Sequence, residues 1–429
     1  MKIKLEPLHV AGLIIFFLLS GGFCLASGKL SERKTFNKLY DYLNRDDFFR
    51  AKVLYDSVGK RLSGENKLFV EAVLDNAFNK LEESENKINE LLKRKRFPDS
   101  LKYKLYSIRT DNAVKLFRYK EASDAIAVIL KNYREYPNKE ELKDYENSLK
   151  LLTALKDVPA QRIFIKDNSA MNTRKDKYGL NTLNVSFGED SLNMVFDTGA
   201  NLSTTSVSTA TRLNMKIINA EINVGSSTSQ KIFAKLAVCN KFTLGNIDVY
   251  NTVFLVVPDS LLIFPKQNYQ IYGILGFPVM RALKEIKITS GGEFIVPEEE
   301  SGFTGNSNLA MSGLRILIDV DGRPYCFDSG ADHTQLYYNF YIENKNEIEK
   351  NYKLEKFKSG GVAGIEEYTG YLIDHTFNVS GKEVTLNGIQ LLTKKIHHDE
   401  SSYGNIGHDL ISKFNSMTLN LHKMFIKFE

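Results

Sequence analysis

Two short motifs recur at one fixed offset, and this constrains the fold more than any other feature of the chain. Val195-Phe196-Asp197-Thr198-Gly199-Ala200 returns as Cys326-Phe327-Asp328-Ser329-Gly330-Ala331, 131 positions later. Tyr272-Gly273-Ile274-Leu275-Gly276 returns as Tyr403-Gly404-Asn405-Ile406-Gly407, again 131 positions later. The distance from Asp to the final glycine is therefore 79 residues in both copies. Two separate motifs share an offset when the whole segment between them is repeated as a unit. The stretch between the copies, residues 289–313, is rich in Ser, Gly, Glu and Asn and reads as the connection between two similar lobes.

The repeated residues suit one chemistry. A lone carboxylate is a poor base toward water. Two carboxylates a few ångströms apart cannot both ionise cheaply, so they share one proton. The ionised member takes a proton from the attacking water, the protonated member donates to the carbonyl oxygen, and the pair titrates as a unit. Asp197 and Asp328 are the candidate pair. Thr198 and Ser329 place a hydroxyl beside each acid, and Gly199 and Gly330 allow a tight backbone. Gly276 and Gly407 follow apolar residues and leave room for a neighbouring strand under each acid loop. This chemistry needs no cofactor and no metal. No C-x-x-C or His-rich ligand spacing is present. His397-His398-Asp399-Glu400 reads as an exposed loop, Cys239 and Cys326 as two small buried residues. Asp332 and Asp409 read as turn or ion-pair residues, and His333 and His408 as rim positions.

The two motifs resemble those of the retropepsin and pepsin clan of aspartic proteases, which carry an Asp-Thr/Ser-Gly loop and an apolar-apolar-Gly strand once per lobe. Asp328-Ser329-Gly330-Ala331-Asp332-His333-Thr334 and Asn405-Ile406-Gly407-His408-Asp409-Leu410-Ile411 look like the retroviral form. Ile274-Leu275-Gly276-Phe277-Pro278-Val279-Met280 looks more like bacterial members. The resemblance covers about residues 180–429. It implies an all-β bilobal fold, a protein or peptide substrate bound in extended form, and a catalytic unit that is monomeric because one chain supplies both halves. It also implies a hairpin closing over the cleft from each lobe. Gly225 in the first half and Gly360 and Gly361 in the second are the flap candidates.

Ahead of this region, residues 29–156 carry apolar residues at helical spacing, as in Phe48, Ala51, Tyr55 and Val58. A pattern recurs as Phe48-x2-Ala51-x3-Tyr55, Leu81-x2-Ser84-x3-Ile88 and Tyr119-x2-Ala122-x3-Ile126, with its small residues 33 and then 38 positions apart. This resembles tetratricopeptide-type helical hairpins, in which a small residue lets paired helices approach. A generic helical bundle stays open as the alternative. The segment reads as a docking module for a protein partner, with a propeptide or a spacer as the other readings.

The N-terminus has Lys2 and Lys4, the apolar run Val10 to Leu19, and small residues up to Ala26, the pattern of a cleaved leader. Cys24 offers a second reading, membrane attachment through a lipidated cysteine. The net charge of +5 is small for 429 residues, and the one basic run, Lys93-Arg94-Lys95-Arg96, reads as the end of a helix. A nucleic-acid partner is not expected.

The expected organisation is a leader at 1–26, a helical repeat-like domain at 29–156, a linker at 157–180, and protease lobes at 181–300 and 301–429. The expected function is that of an exported aspartic endopeptidase, periplasmic, envelope-anchored or secreted. A catalytically inactive peptide-binding scaffold of the same fold is the alternative.

Overall fold

A computed structural model describes residues 22–225, 232–361, 364–398 and 400–429. Residues 1–21 of the expected leader lie outside the described residues. Among those described, no helix is long and apolar enough to cross a membrane.

The helical region has seven helices: α1 (Gly22–Asn44), α2 (Phe48–Val58), α3 (Gly64–Ala77), α4 (Leu81–Leu92), α5 (Asp99–Lys115), α6 (Tyr119–Asn132) and α7 (Lys139–Leu155). The recurrent small residues Ala51, Ser84 and Ala122 are fully buried in α2, α4 and α6. Each of these helices is the second arm of a hairpin, and the three hairpins turn in the same way. Asp46, Asn79 and Phe117 are left-handed, with φ of 54°, 59° and 58°. The next residue in each case donates its N–H to a carbonyl five positions back: Asp47 to Tyr42 at 2.9 Å, Lys80 to Asp75 at 2.7 Å, and Arg118 to Ala113 at 2.8 Å. This bond ends the first helix and sets the entry of the second. The longer second interval arises mainly because α5 has 17 residues where α3 has 14. Asn138 opens α7 with a capping box, accepting from the Glu140 and Glu141 amides while the Glu141 carboxylate accepts from the Asn138 amide.

Strands dominate from Arg162 onward, in two similarly ordered sheets. In the first half the order is Arg162–Ile165, Ile247–Val257, Ser203–Ser206, Gly273–Leu275, Asp190–Phe196, Asn181–Phe187, Ile232–Leu244 and Lys216–Val224. Ile232–Leu244 also pairs with Ile247–Val257, which closes the sheet into a barrel. In the second half the order is Leu309–Ser312, Arg315–Val320, Arg323–Phe327, Gly404–Ile406, Gln335–Leu336, Lys382–Leu392, Gly364–Val379 and Leu354–Gly361. The two-residue loop Asp321-Gly322, with φ of 51° and 73°, joins strands paired Val320 to Arg323. Positive φ at both loop positions is the geometry that matches the strand twist.

A third sheet ties the halves together. Its order is Ser169–Asn172, Glu293–Val296, Glu285–Thr289, Ser416–Asn420 and Phe425–Phe428. The central antiparallel pair sets Lys287 opposite Thr418. These residues are themselves 131 apart, the same offset as the repeated motifs. Residues 157–180 and 289–313 are thus more than the linker and connection expected from composition. They contain the strands Arg162–Ile165, Ser169–Asn172, Arg174–Lys175, Glu293–Val296 and Leu309–Ser312.

The helices pack along the β region from one half to the other, and all three hairpin turns take part. Asp46 accepts from the Ser312 and Ser401 hydroxyls, each at 2.8 Å. Asn79 donates to the Leu421 carbonyl at 2.6 Å. The Phe117 ring lies 5.9 Å from the Arg281 guanidinium. Apolar packing follows the same line. Ala310 and Leu317 join the core of α1–α5, and Leu236, Val253, Leu255 and Val257 join that of α5–α7. This covers both faces of Ile247–Val257 and explains its long apolar run.

One cation is caught inside this assembly. The Lys115 ammonium is fully buried, donating to the Asn76 carbonyl and side-chain oxygens at 3.3 Å. Burial pushes it down to about 8 from the ordinary 10.5, and burial also raises the Asp111 carboxyl one turn away. The native state therefore loses this proton before the unfolded state does, and stability rises with pH between those values. Denaturant unfolding at pH 7.5 and 10.5 should show Lys115 contributing a gain of roughly 3 kcal/mol, from 1.36 kcal/mol per pH unit. Lys115→Met should abolish that gain. An unchanged pH dependence in the variant would refute the assignment.

Candidate active site

Each Asp-x-Gly loop is delivered by an apolar strand running parallel to a short neighbour. Val195 and Phe196 lie beside Ile274 and Leu275, and Cys326 and Phe327 lie beside Asn405 and Ile406. The Asp197 amide donates to the Leu275 carbonyl and the Asp328 amide to the Ile406 carbonyl, both at 3.1 Å. The strand therefore continues through the acid before the chain turns.

The two loops are locked to each other by a reciprocal set of four bonds. The Thr198 hydroxyl donates to the Phe327 carbonyl at 2.9 Å and accepts from the Ser329 amide at 2.8 Å. The Ser329 hydroxyl donates to the Phe196 carbonyl at 3.3 Å and accepts from the Thr198 amide at 3.1 Å. Both side chains are buried, so these bonds are shielded from competing water.

The glycines set the separation of the acids. A Cβ on Gly199 would stand 2.5 Å from Asp328 Cγ, and one on Gly330 would overlap the Asp197 carboxyl. Each glycine instead donates its amide to the acid of its own loop, Gly199 to Asp197 Oδ1 at 2.8 Å and Gly330 to Asp328 Oδ1 at 3.0 Å. Gly276 and Gly407 act one layer below. A Cβ there would meet the Ala200 carbonyl oxygen at 2.6 Å or the His333 carbonyl carbon at 2.5 Å. Their amides donate to the Ser203 and Thr334 hydroxyls, each at 3.1 Å.

The Asp197 carboxyl lies against Gly330 and the Asp328 carboxyl against Gly199, so the two acids face each other, and both residues are part-buried. Burial first, then the Asp328 charge and their shared hydrogen bond, hold Asp197 well above the usual carboxylate range. Asp197 therefore keeps a proton where an ordinary Asp has lost it.

The other residues singled out from sequence lie as follows. Gly225 ends the strand Lys216–Val224 at the tip of a hairpin whose residues 226–231 are not described. Gly360 and Gly361 end the strand Leu354–Gly361 at the tip of the corresponding second hairpin, where Gly361 pairs with Gly364. Asp409 accepts from the Thr334 amide and hydroxyl and from the Leu410 amide, all within 2.8 Å, and so fixes a turn. His333 is exposed, and His408 meets the Lys175 ammonium at 2.9 Å. In the segment expected to be an exposed loop, Asp399 lies outside the described residues, His398 is exposed and His397 half-buried. Glu400 is buried, and His398 lies 3.5 Å from Asp144 and 3.7 Å from Glu140 of α7. Among the described residues no group of three or more His, Cys, Asp or Glu could hold a metal ion. Cys239 and Cys326 are both free thiols.

Sequence reasoning missed two features. The Ser203 and Thr334 hydroxyls sit at equivalent places, 131 apart, and could have been found by extending the repeat. Asn405 donates to Asp328 Oδ2 at 3.0 Å. It stands where the first copy has Ile274, a mismatch visible in the sequence.

Parallel delivery strands, interlocked Thr and Ser hydroxyls and a facing pair of acids define an aspartic-protease fold. A family model described as aspartyl protease matches residues 183–279. The chain is similar to the basic 7S globulin of soybean, with 12% identity over 61% of this chain and 94% of that one, at a TM-score of 0.36. It is similar to conglutin gamma, a basic 7S globulin from lupine seeds, with 10% identity over 61% and 95% and a TM-score of 0.36. A retropepsin-like aspartic protease from Rickettsia conorii matches with 14% identity over 31% and 94%, at a TM-score of 0.23. No curated protein matches the chain.

The lock carries a direct test. Thr198→Val keeps the shape of the side chain but leaves the Phe327 carbonyl and the Ser329 amide without their partner. Two buried unsatisfied groups should cost about 2–4 kcal/mol, read by urea unfolding. A loss under about 0.5 kcal/mol would mean that the loops are held by other contacts.

Proposed function

We propose that this chain is an exported aspartic endopeptidase that hydrolyses peptide bonds in an extended segment of protein. The observation that carries the reading is the facing pair Asp197 and Asp328, held by the reciprocal Thr198 and Ser329 bonds. In the proposed reaction a water held between the acids attacks the amide carbonyl carbon. Its proton goes to the ionised carboxylate, and the carbonyl oxygen takes the proton of the other acid. A neutral gem-diol results. Its collapse breaks the C–N bond: the amine leaves with the proton taken from water, and a gem-diol hydroxyl returns a proton to the acid that had protonated the carbonyl oxygen.

On this reading the chain is a single-chain form of a two-lobed protease, with one copy of a retropepsin-like half on each side of the cleft. The hairpins ending at Gly225 and at Gly360-Gly361 are its flaps, and their strand edges can pair with a substrate backbone. The helical hairpins are tetratricopeptide-like. Their turns brace both lobes, which leaves the opposite face for a protein partner. Export rests on the leader pattern of residues 1–26, with Cys24 lipidation as the route to envelope attachment.

The test is cleavage of a diverse peptide mixture by residues 27–429 between pH 3 and 8. Asp197→Asn and Asp328→Asn should each lower turnover by about 10³-fold or more. Because Asp197 holds its proton unusually high, activity should extend above the ordinary carboxylate range and fall as pH rises through that value. Peptide binding without turnover in the parent chain would replace this reading with a peptide-binding scaffold.

A further inference from the structure

The repeat that builds the site is broken at one chemically important position. Across the two motifs, acids match acids, hydroxyls match hydroxyls and glycines match glycines, but Ile274 is matched by Asn405. Both occupy the middle of the short strand beside the acid loop. Ile274 lies between Val195 and Thr204, and Asn405 between Cys326 and Gln335. The Asn405 amide donates to Asp328 Oδ2 at 3.0 Å, while the Gly330 amide donates to Oδ1 at 3.0 Å. Both oxygens of Asp328 therefore face a fixed donor. Asp197 Oδ1 has its glycine amide and the Ala200 amide also acts on this carboxyl, but the side chain matching Asn405 is aliphatic and adds no donor.

We propose that Asn405 is a positioning residue that polarises the pair, fixing the negative charge on Asp328 and leaving the shared proton on Asp197. The inference rests on the protease reading and gives its two acids distinct roles. An amide N–H favours an ionised acceptor, and a proton on Asp328 Oδ2 would confront that N–H. Asp328 is then the base that takes the proton of water, and Asp197 the acid that protonates the carbonyl oxygen.

The other groups around Asp328 leave this polarity intact. Asp197 faces it from the first loop. The Cys326 thiol on its own strand and the Tyr337 phenol ahead of the helix Tyr338–Asn351 act on it electrostatically, and burial pushes both upward, so both stay neutral. Arg315 and Glu400, opposite in sign, act on those two groups in turn. Gln335, beside Asn405, is uncharged and donates to Ser359 at 3.2 Å and Gln390 at 3.1 Å.

Asn405→Ile restores the residue of the first copy. It should move the acid limb of the kcat profile upward by about one pH unit and lower kcat about tenfold, with KM within about twofold. The order of protonation is read separately, by NMR titration of ¹³Cγ-labelled aspartates in the full chain, assigned with Asp197→Asn and Asp328→Asn. In the parent, Asp328 should ionise in the lower step and Asp197 in the upper, and the gap should narrow in Asn405→Ile. Asn405→Leu, closer in shape to Asn, repeats both measurements if the Ile protein does not fold. An unmoved acid limb with an unchanged gap, or Asp197 ionising first in the parent, would overturn the proposal. A parent chain without turnover would defeat the protease reading alone, since the titration still reports which acid is ionised.

Discussion

The structure around the acids depends on the exchange of hydroxyls between Thr198 and Ser329. Each side chain reaches across to cap backbone groups of the opposite loop. Were both acids to ionise, their repulsion would drive these loops apart, since burial raises its cost. The four bonds oppose that repulsion at close range, and the glycine contacts limit how near the acids come. Neither device suffices alone. Without the hydroxyls the loops could separate, and without the glycines the carboxyls could not meet.

This local lock is one of three ties between the halves. The sheet that pairs Glu285–Thr289 with Ser416–Asn420 fixes their mutual orientation below the acids. The helices form the third tie, touching the second half through Asp46, the joining sheet region through Asn79 and the first half through Arg281. The Asn147 side chain adds a two-bond contact to the Asn223 backbone, 2.8 Å each way, on the strand that leads to the first hairpin tip. These contacts couple the helical region to a strand of the proposed flap.

The geometry of the candidate site was legible because the proposed chemistry requires particular residues in backbone-defined places. Asp197, Asp328 and their flanking hydroxyls and glycines are the residues the structure brings together, since a repeat with one offset preserves geometry as well as composition. The helical hairpins were legible in their small residues Ala51, Ser84 and Ala122, where bulk would separate the paired helices. Legibility failed where backbone pairing outweighed side-chain pattern. Glu293–Val296 and Ser169–Asn172 lie in polar stretches and are held in the joining sheet by hydrogen bonds that composition does not reveal. It failed again where contacts are distant in sequence. Nothing near Asp46 or Asn79 marks them as docking residues, and left-handed φ at Phe117 runs against the preference of a bulky side chain.

A strictly symmetric pair of halves would give both acids the same surroundings and could not favour one site for the proton. A single chain is free of that restriction, and the departures from symmetry here are concentrated near the second acid. The first half follows its acid loop with a six-residue helix, Val207–Arg212, where the second has Tyr338–Asn351 with 14 residues. In the first half the row is Ile274, Thr204 and Leu255, one hydroxyl between two aliphatic side chains, whereas Asn405, Gln335 and Gln390 place three amides in the corresponding row. The lock and the glycines, which hold the acids together, are the parts that stay alike. What differs is the layer that can bias charge, so the symmetric shell supplies proximity while the asymmetric row can supply direction to proton transfer.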